Sequence, residues 1–147
     1  MTGHVDTMSF GYSVTDFVKL IELANELRHR FVDSPQQFRA ISDEVRSLVI
    51  VLEDVKVLLP RRELESSQRK QLVGIVAGCF QLLNELKSQL KEYIELDEDQ
   101  GNDESFKKKL KTVWKRLKWE PKDIEELRGR LSSNIGLLNT FYSQLNL

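Results

Sequence analysis

Apolar side chains recur at every third or fourth position along most of this chain, which is the period of amphipathic helices rather than strands. The clearest run lies between Ser34 and Pro60. Ser34 is expected to cap this helix, with Pro35 in its first turn and Gln37 completing a capping box. Pro60 is expected to end it, because the proline ring cannot continue the hydrogen-bond ladder. The apolar stripe of the helix comprises Phe38, Ile41, Val45, Leu48, Leu52, Val55 and Leu59.

Three further segments repeat this pattern and complete a set of four long predicted helices. The first helix spans about residues 13–32, the third about residues 66–96 and the last about residues 122–145. Gly74 and Gly78 lie one turn apart inside the third helix, where they either permit close approach of another helix or are two tolerated glycines at a tight helix crossing. One core is expected, shared by Phe17, Leu20, Leu27, Val45, Leu48, Leu52, Leu82, Leu86, Leu127 and Leu138.

The sign of the charge reverses between the third helix and the last one. Residues 97–104 are rich in aspartate and glutamate and carry no apolar side chain, so they predict an acidic loop. Residues 105–119 then combine cations with Phe106, Leu110, Val113, Trp114 and Leu117, which predicts a shorter basic amphipathic helix that ends before Glu120 and Pro121. Its cations are Lys107, Lys108, Lys109, Lys111, Lys115, Arg116 and Lys118.

The fold class that follows is all-α: an antiparallel bundle of four long helices plus one shorter basic helix. Residues 1–12 are expected to form an N-terminal extension that leads into the first helix, and residues 13–147 a single bundle domain. Composition agrees with one folded domain, because 40 % of the 147 residues are apolar and 31 % are charged, with a net charge of -1.

The chain offers little material for catalysis. Its one cysteine, Cys79, excludes an internal disulfide, and its two histidines, His4 and His29, have no metal-ligand spacing. No phosphate-binding glycine loop or nucleophile motif occurs. We therefore expect no enzyme activity, no cofactor and no catalytic, cofactor-binding or metal-ligating residue. Cys79 is expected to be a buried small hydrophobe, and His29 to lie at the end of the first helix, where positive charge is favourable.

Location and partners can be limited in the same way. No apolar stretch reaches the roughly 20 residues that cross a bilayer, and no secretory leader is evident, so a cytoplasmic protein is expected. The basic helix is expected either to contact anionic lipid, with tryptophan at the headgroup level, or to be a solvated helix whose lysines balance the charge of the acidic loop before it. Nucleic acid is not an expected partner, because the domain as a whole is not basic. Trp114 lies on the apolar stripe and is expected in the core, whereas Trp119, at the helix end, is expected to be exposed.

Three long stretches carry a resemblance to a known family. They read MSFGYSVTDF from Met8, then LANELRHRFVDSPQQFRAISDEVRSLVIVLEDV, and later VWKRLKWEPKDIEELRGRLSSNIGLLN. These stretches resemble the N-terminal domain of fungal STAND and ankyrin-repeat proteins, the fungal counterparts of NOD-like immune receptors, a domain related to HeLo-like helical bundles. The resemblance covers Met8 to about Leu145. It implies a signalling or effector domain, normally followed by a nucleotide-binding oligomerisation module or by repeats, and it supplies no catalytic residue.

Two functions are compatible with these observations. The first is an effector that self-associates and is recruited to membranes in a cell-death or innate-immunity-like response. The alternative is a scaffold or regulatory domain that binds only protein, either a second copy or other domains of the parent receptor. The candidate membrane or partner surface comprises Lys107, Lys108, Lys109, Lys111, Lys115, Arg116, Lys118 and Trp119. The candidate oligomerisation helix carries Asp16, Lys19, Glu22 and Glu26, whose charges depart from the very apolar first helix of related membrane-active domains.

Overall fold

All regular structure in the part of the chain that the computed structural model describes, residues 14–32, 34–98 and 120–146, is helical. The all-α fold class is thereby confirmed. Four α-helices follow one another, and a 3-10 turn, Leu59–Arg61, follows the second. The α-helices are α1 (Val14–Val32), α2 (Gln36–Leu58), α3 (Ser66–Glu98) and α4 (Pro121–Leu145). The predicted N-terminal extension, most of the acidic loop and the basic helix lie outside the described residues.

The junction between α1 and α2 corrects the predicted capping box. Ser34 is buried, and its hydroxyl donates a 2.6 Å hydrogen bond to the carbonyl oxygen of Phe31 in the last turn of α1. Pro35, not Ser34, is the N-cap of α2, and no side chain caps that end. The capping prediction is therefore wrong. Ser34 instead binds a carbonyl oxygen at the end of α1, because the last carbonyls of a helix lack partners within the helix.

Two prolines mark helix ends in different ways. Pro60 lies in the 3-10 turn that follows α2, so the prediction that α2 ends before it is confirmed. Pro121 occupies the first turn of α4, where its missing N–H is not needed. Glu120 and Asp123 form a reciprocal capping box there, in which the backbone N–H of Glu120 donates to Oδ2 of Asp123 at 3.1 Å. The predicted break at Glu120 and Pro121 is thus a well-formed helix start.

One hydrophobic core joins all four helices. It includes every residue of the predicted core except Leu127, which is half-buried and packs against the cluster. α2 contacts both α1 and α4, and α3 contacts the same two helices. Four phenylalanines contribute the largest fully buried side chains: Phe17, Phe31, Phe38 and Phe141.

The glycines of α3 do not mark a tight helix crossing. A Cβ atom added at Gly74 would meet no atom within 4 Å, and one at Gly78 would lie 3.5 Å from Oδ1 of Asn134 in α4, an ordinary van der Waals distance. The glycines are therefore tolerated in α3, and the tight helix crossing expected at them is wrong. Gly78 nevertheless places the middle of α3 beside the middle of α4.

Candidate functional site

The predicted oligomerisation residues share one side of α1. Lys19 and Glu22 are exposed, and Asp16 and Glu26 are partly buried. Glu26 has two cationic neighbours: its Oε1 lies 3.6 Å from Arg30 on the same helix, and its Oε2 lies 3.5 Å from Nζ of Lys87 in α3. Glu26 therefore joins α1 to α3, while Lys19 and Glu22 remain presented to solvent.

Two arginines of α4 bind carboxylates on different helices. Nη1 of Arg130 donates a 2.7 Å hydrogen bond to Oε2 of Glu85 in α3, and Nε of Arg128 donates a 2.8 Å hydrogen bond to Oε1 of Glu44 in α2. The hydrogen bond from Arg130 lowers the pKa of the Glu85 carboxyl. Because these pairs are partly solvated, each is expected to contribute little to stability. Their main effect is to set the position of α4 against α2 and α3.

A groove of about 340 Å³ opens between α3 and α4 beside one of these pairs. Its apolar floor is made by Leu82 and Leu86, which are buried, and by Leu127, which is half-buried. The groove is lined by Leu82, Glu85, Leu86, Gln89, Asp123, Glu126, Leu127 and Arg130. Three carboxylates and a single guanidinium surround the apolar floor, so this groove suits a cationic amphipathic partner better than an anionic one.

The sequence did not reveal this groove or the arginine pairs. Arg130 and Glu85 are 45 residues apart in the chain, and Arg128 and Glu44 are 84 apart. No local pattern links partners at such separations, because their proximity depends on how whole helices pack. The only available signal was the combination of cations and acids on the exposed side of the last helix, which looked like an ordinary solvated face.

The basic surface lies outside the described residues. This holds for Lys107, Lys108, Lys109, Lys111, Lys115, Arg116, Lys118 and Trp119, and for Trp114. Their roles stay predictions. The next described residue is Glu120, the exposed N-cap of α4, which lies three residues before the groove residue Asp123.

Cys79 and His29 differ in their exposure. Cys79 is fully buried in the core, and burial raises the pKa of its thiol to about 12. The thiol is therefore protonated at neutral pH and inaccessible, which confirms its prediction as a small hydrophobe and removes it as a nucleophile. His29 is exposed in the last turn of α1, where a positive charge would interact favourably with the helix dipole.

Among the described residues, no group of histidine, cysteine, aspartate and glutamate side chains could hold a metal ion. None of the described helices combines the length and apolar character that crossing a bilayer requires. Comparison with protein-family models, curated proteins and solved structures found no match. The described surface presents a groove with an acidic rim between α3 and α4 and a charged side of α1.

Proposed function

We propose that this chain is the N-terminal signalling or effector domain of a fungal NOD-like (STAND) receptor. In this proposal it self-associates and is recruited from the cytoplasm to membranes in a cell-death or innate-immunity-like response. It acts by binding, without catalysis and without a cofactor. Its architecture is a HeLo-like antiparallel bundle of four long helices with an additional basic helix.

Two kinds of observation support this proposal. The long stretches quoted above resemble that receptor domain over nearly the whole chain, and the described residues are all-α, as the resemblance implies. Neighbouring positions also support the antiparallel arrangement for one pair of helices. Gly78 lies beside Asn134, and Glu85 binds Arg130, so positions advance along α3 as they retreat along α4.

The observation that carries the membrane part of the proposal is the concentration of cations at residues 107–118 in a chain whose net charge is only -1. Each lysine or arginine close to an anionic bilayer contributes about 1 kcal/mol, so such a segment can hold a protein at the surface. Trp119 would lie at the headgroup level, where amphipathic rings are favoured.

The first helix is proposed to act at a surface rather than by insertion. Phe17, Leu20 and Leu27 are fully buried, so releasing α1 into a bilayer would require opening the core. The opposite side of α1 carries Lys19 and Glu22, which remain exposed to solvent.

Liposome flotation tests the membrane part. The chain is expected to float with vesicles that contain anionic phosphatidylserine and to stay behind with neutral phosphatidylcholine vesicles. Reversing three charges with Lys107→Glu, Lys108→Glu and Lys111→Glu is expected to abolish flotation. The matched control reverses three exposed cations elsewhere, Arg61→Glu, Arg62→Glu and Lys70→Glu, and is expected to float like the unmodified chain. Equal recovery with both lipids, or an equal loss in the control, would refute membrane targeting.

The groove between α3 and α4 favours the alternative function, a scaffold that binds only protein. Its acidic rim and apolar floor would accept a cationic amphipathic helix from a partner. In that case a synthetic leucine-lysine amphipathic peptide should bind, and Glu126→Lys should weaken binding, while flotation is absent with either lipid. Glu125→Lys, which changes an exposed carboxylate outside the groove lining, is the control.

A further inference from the structure

The surface of α3 and α4 includes a region without charge. No charged side chain occurs from Gln71 to Asn84 or from Leu131 to Leu147, although 31 % of all residues in the chain are charged. Burial does not account for this, because many residues in both stretches are exposed. The exposed residues of 71–84 and 131–146 are called the charge-free face below. They include Gln71, Gly74, Gln81, Ser133, Leu137 and Thr140.

The two uncharged stretches lie side by side. Gly78, in the middle of its stretch, and Asn134, near the start of the other stretch, are neighbours across the α3–α4 contact. Beyond that point the helices continue together, so Leu137, one turn further along α4, lies at the level of Gly74, one turn earlier in α3. The face is therefore one continuous area rather than two separate strips.

Within the charge-free face, a projection and a recess occur together. Leu137 is 48 % exposed and is one of the few large apolar side chains that the described surface presents to solvent. Gly74 presents no side chain, and the space where its Cβ would lie is open. An exposed leucine at the same level as a glycine recess is a shape that can fit a partner.

We propose that the charge-free face is the docking surface for a second copy of this chain, with Leu137 of each copy packing over Gly74 of the other. This inference rests on the self-association proposed above and names the surface that performs it. The contact is isologous, since the same residues contribute from both copies.

The absence of charge on this face indicates that its partner is a second copy of the chain. Near the twofold axis of an isologous dimer each residue meets its own counterpart, so any charged residue there would meet the same charge. Interface centres are also depleted of charged residues in general. The charge-free face avoids that repulsion, and its glutamine, asparagine, serine and threonine side chains both donate and accept hydrogen bonds. The charge-free face of a second copy can therefore supply hydrogen-bond partners for these side chains.

The size of the face predicts weak association. A stretch such as 71–84 is about 20 Å long, and two adjacent helices are about 20 Å wide. This footprint is at the small end of specific interfaces, so the isolated chain should dimerise weakly and reversibly. Holding several copies close together would raise their effective concentration and populate the dimer.

Sedimentation equilibrium over a series of chain concentrations tests the proposal. Leu137→Glu and Gly74→Arg are each expected to weaken self-association by about tenfold or more, by removing the projection and by filling the recess. Gly74→Arg should fold, because its side chain enters open space. The control is Ile50→Glu on α2, where the native side chain is 53 % exposed, and it should associate like the unmodified chain. Circular dichroism melts verify folding of each variant. Association should also be nearly insensitive to salt, since no charge lies on the face.

The outcomes separate this inference from the function on which it rests. If the chain self-associates but neither Leu137→Glu nor Gly74→Arg weakens it, the charge-free face is not the dimer surface, and self-association through other residues survives. The same conclusion follows if Ile50→Glu weakens association equally, or if salt dissociates the oligomer. If the unmodified chain sediments as a monomer at every concentration, both this inference and the self-association in the proposed function are refuted.

Discussion

Nη1 of Arg130 lies 2.7 Å from Oε2 of Glu85, and this pair bridges α4 and α3 at the edge of the groove. The hydrogen bond from Arg130 lowers the pKa of Glu85 from its ordinary value of 4.5. A carboxyl with a lowered pKa in the folded state adds stability above its unfolded pKa, and this stability is lost as the pH falls through the folded pKa.

Arg130→Gln should therefore destabilise the chain slightly at neutral pH and have a smaller effect in acid. The free energy of unfolding, measured with urea at about pH 7 and about pH 3, gives the comparison. Glu85→Gln should cause a similar loss at neutral pH, and the double variant should lose little more than either single one. A difference between native and Arg130→Gln chains that stays constant with pH would contradict this origin.

Leu48→Ala should lower the free energy of unfolding by about 2 to 5 kcal/mol, because apolar contacts are lost and a cavity remains. Leu48 is fully buried in α2, whereas Ile50, two residues later, is 53 % exposed. Ile50→Ala is therefore the matched control and should change stability by less than about 0.5 kcal/mol. Thermal and urea unfolding measure both. Equal effects would show that the core has been wrongly located.

Ser34→Ala should cost about 1 kcal/mol of stability, because the buried carbonyl of Phe31 loses a hydroxyl partner. Ser47 is the control: its hydroxyl also binds a carbonyl, that of Asp43, at 3.2 Å, but on an exposed surface. Ser47→Ala should be neutral or slightly stabilising, since alanine favours helix. The prediction fails if urea unfolding ranks the two variants in the opposite order.

Gly129→Ala should raise stability by up to about 1 kcal/mol, because alanine loses less backbone entropy in a helix than glycine does. Gly129 is exposed inside α4, and an added Cβ would meet no atom within 4 Å. The reverse change at an exposed alanine of α3, Ala77→Gly, should lower stability by a similar amount. A lower melting temperature for Gly129→Ala would contradict the open space assigned to that position.

Cys79 should react with a thiol reagent far more slowly in the native chain than in urea. Burial removes access, and a pKa of about 12 leaves almost no thiolate at neutral pH. Ser67→Cys in a Cys79→Ala background supplies an exposed reference thiol on α3. The labelling of both folded chains is followed by the absorbance of the group that the reagent releases. Comparable labelling rates would show that Cys79 is accessible.

The helices and most of the core could be predicted from the sequence because both depend on local periodicity. Leu48 and Leu82 are buried because each lies on the apolar stripe of its helix, and that stripe faces the neighbouring helices. Ser34 was misassigned because a serine between two helices can serve either end, and the distance between the helices decides which. Glu120 and Asp123 were missed although the spacing of a capping box was present.

The candidate site was less predictable than the fold. The groove exists because α3 and α4 bring Leu86 and Leu127 together, and no spacing along the chain encodes that contact. The charges of Asp16, Lys19, Glu22 and Glu26 were correctly placed on one helix, but the tie from Glu26 to Lys87 depends on packing.

The short connection between α1 and α2 also bears on the order in which the helices assemble. Only residues 33–35 separate these two helices, so pairing them closes a small loop and loses little chain entropy. The ion pair between Glu44 and Arg128 instead joins residues 84 positions apart. Bringing such distant residues together closes a long loop and loses more chain entropy. We therefore expect α1 and α2 to pair before α4 docks and buries Leu131, Leu138 and Phe141.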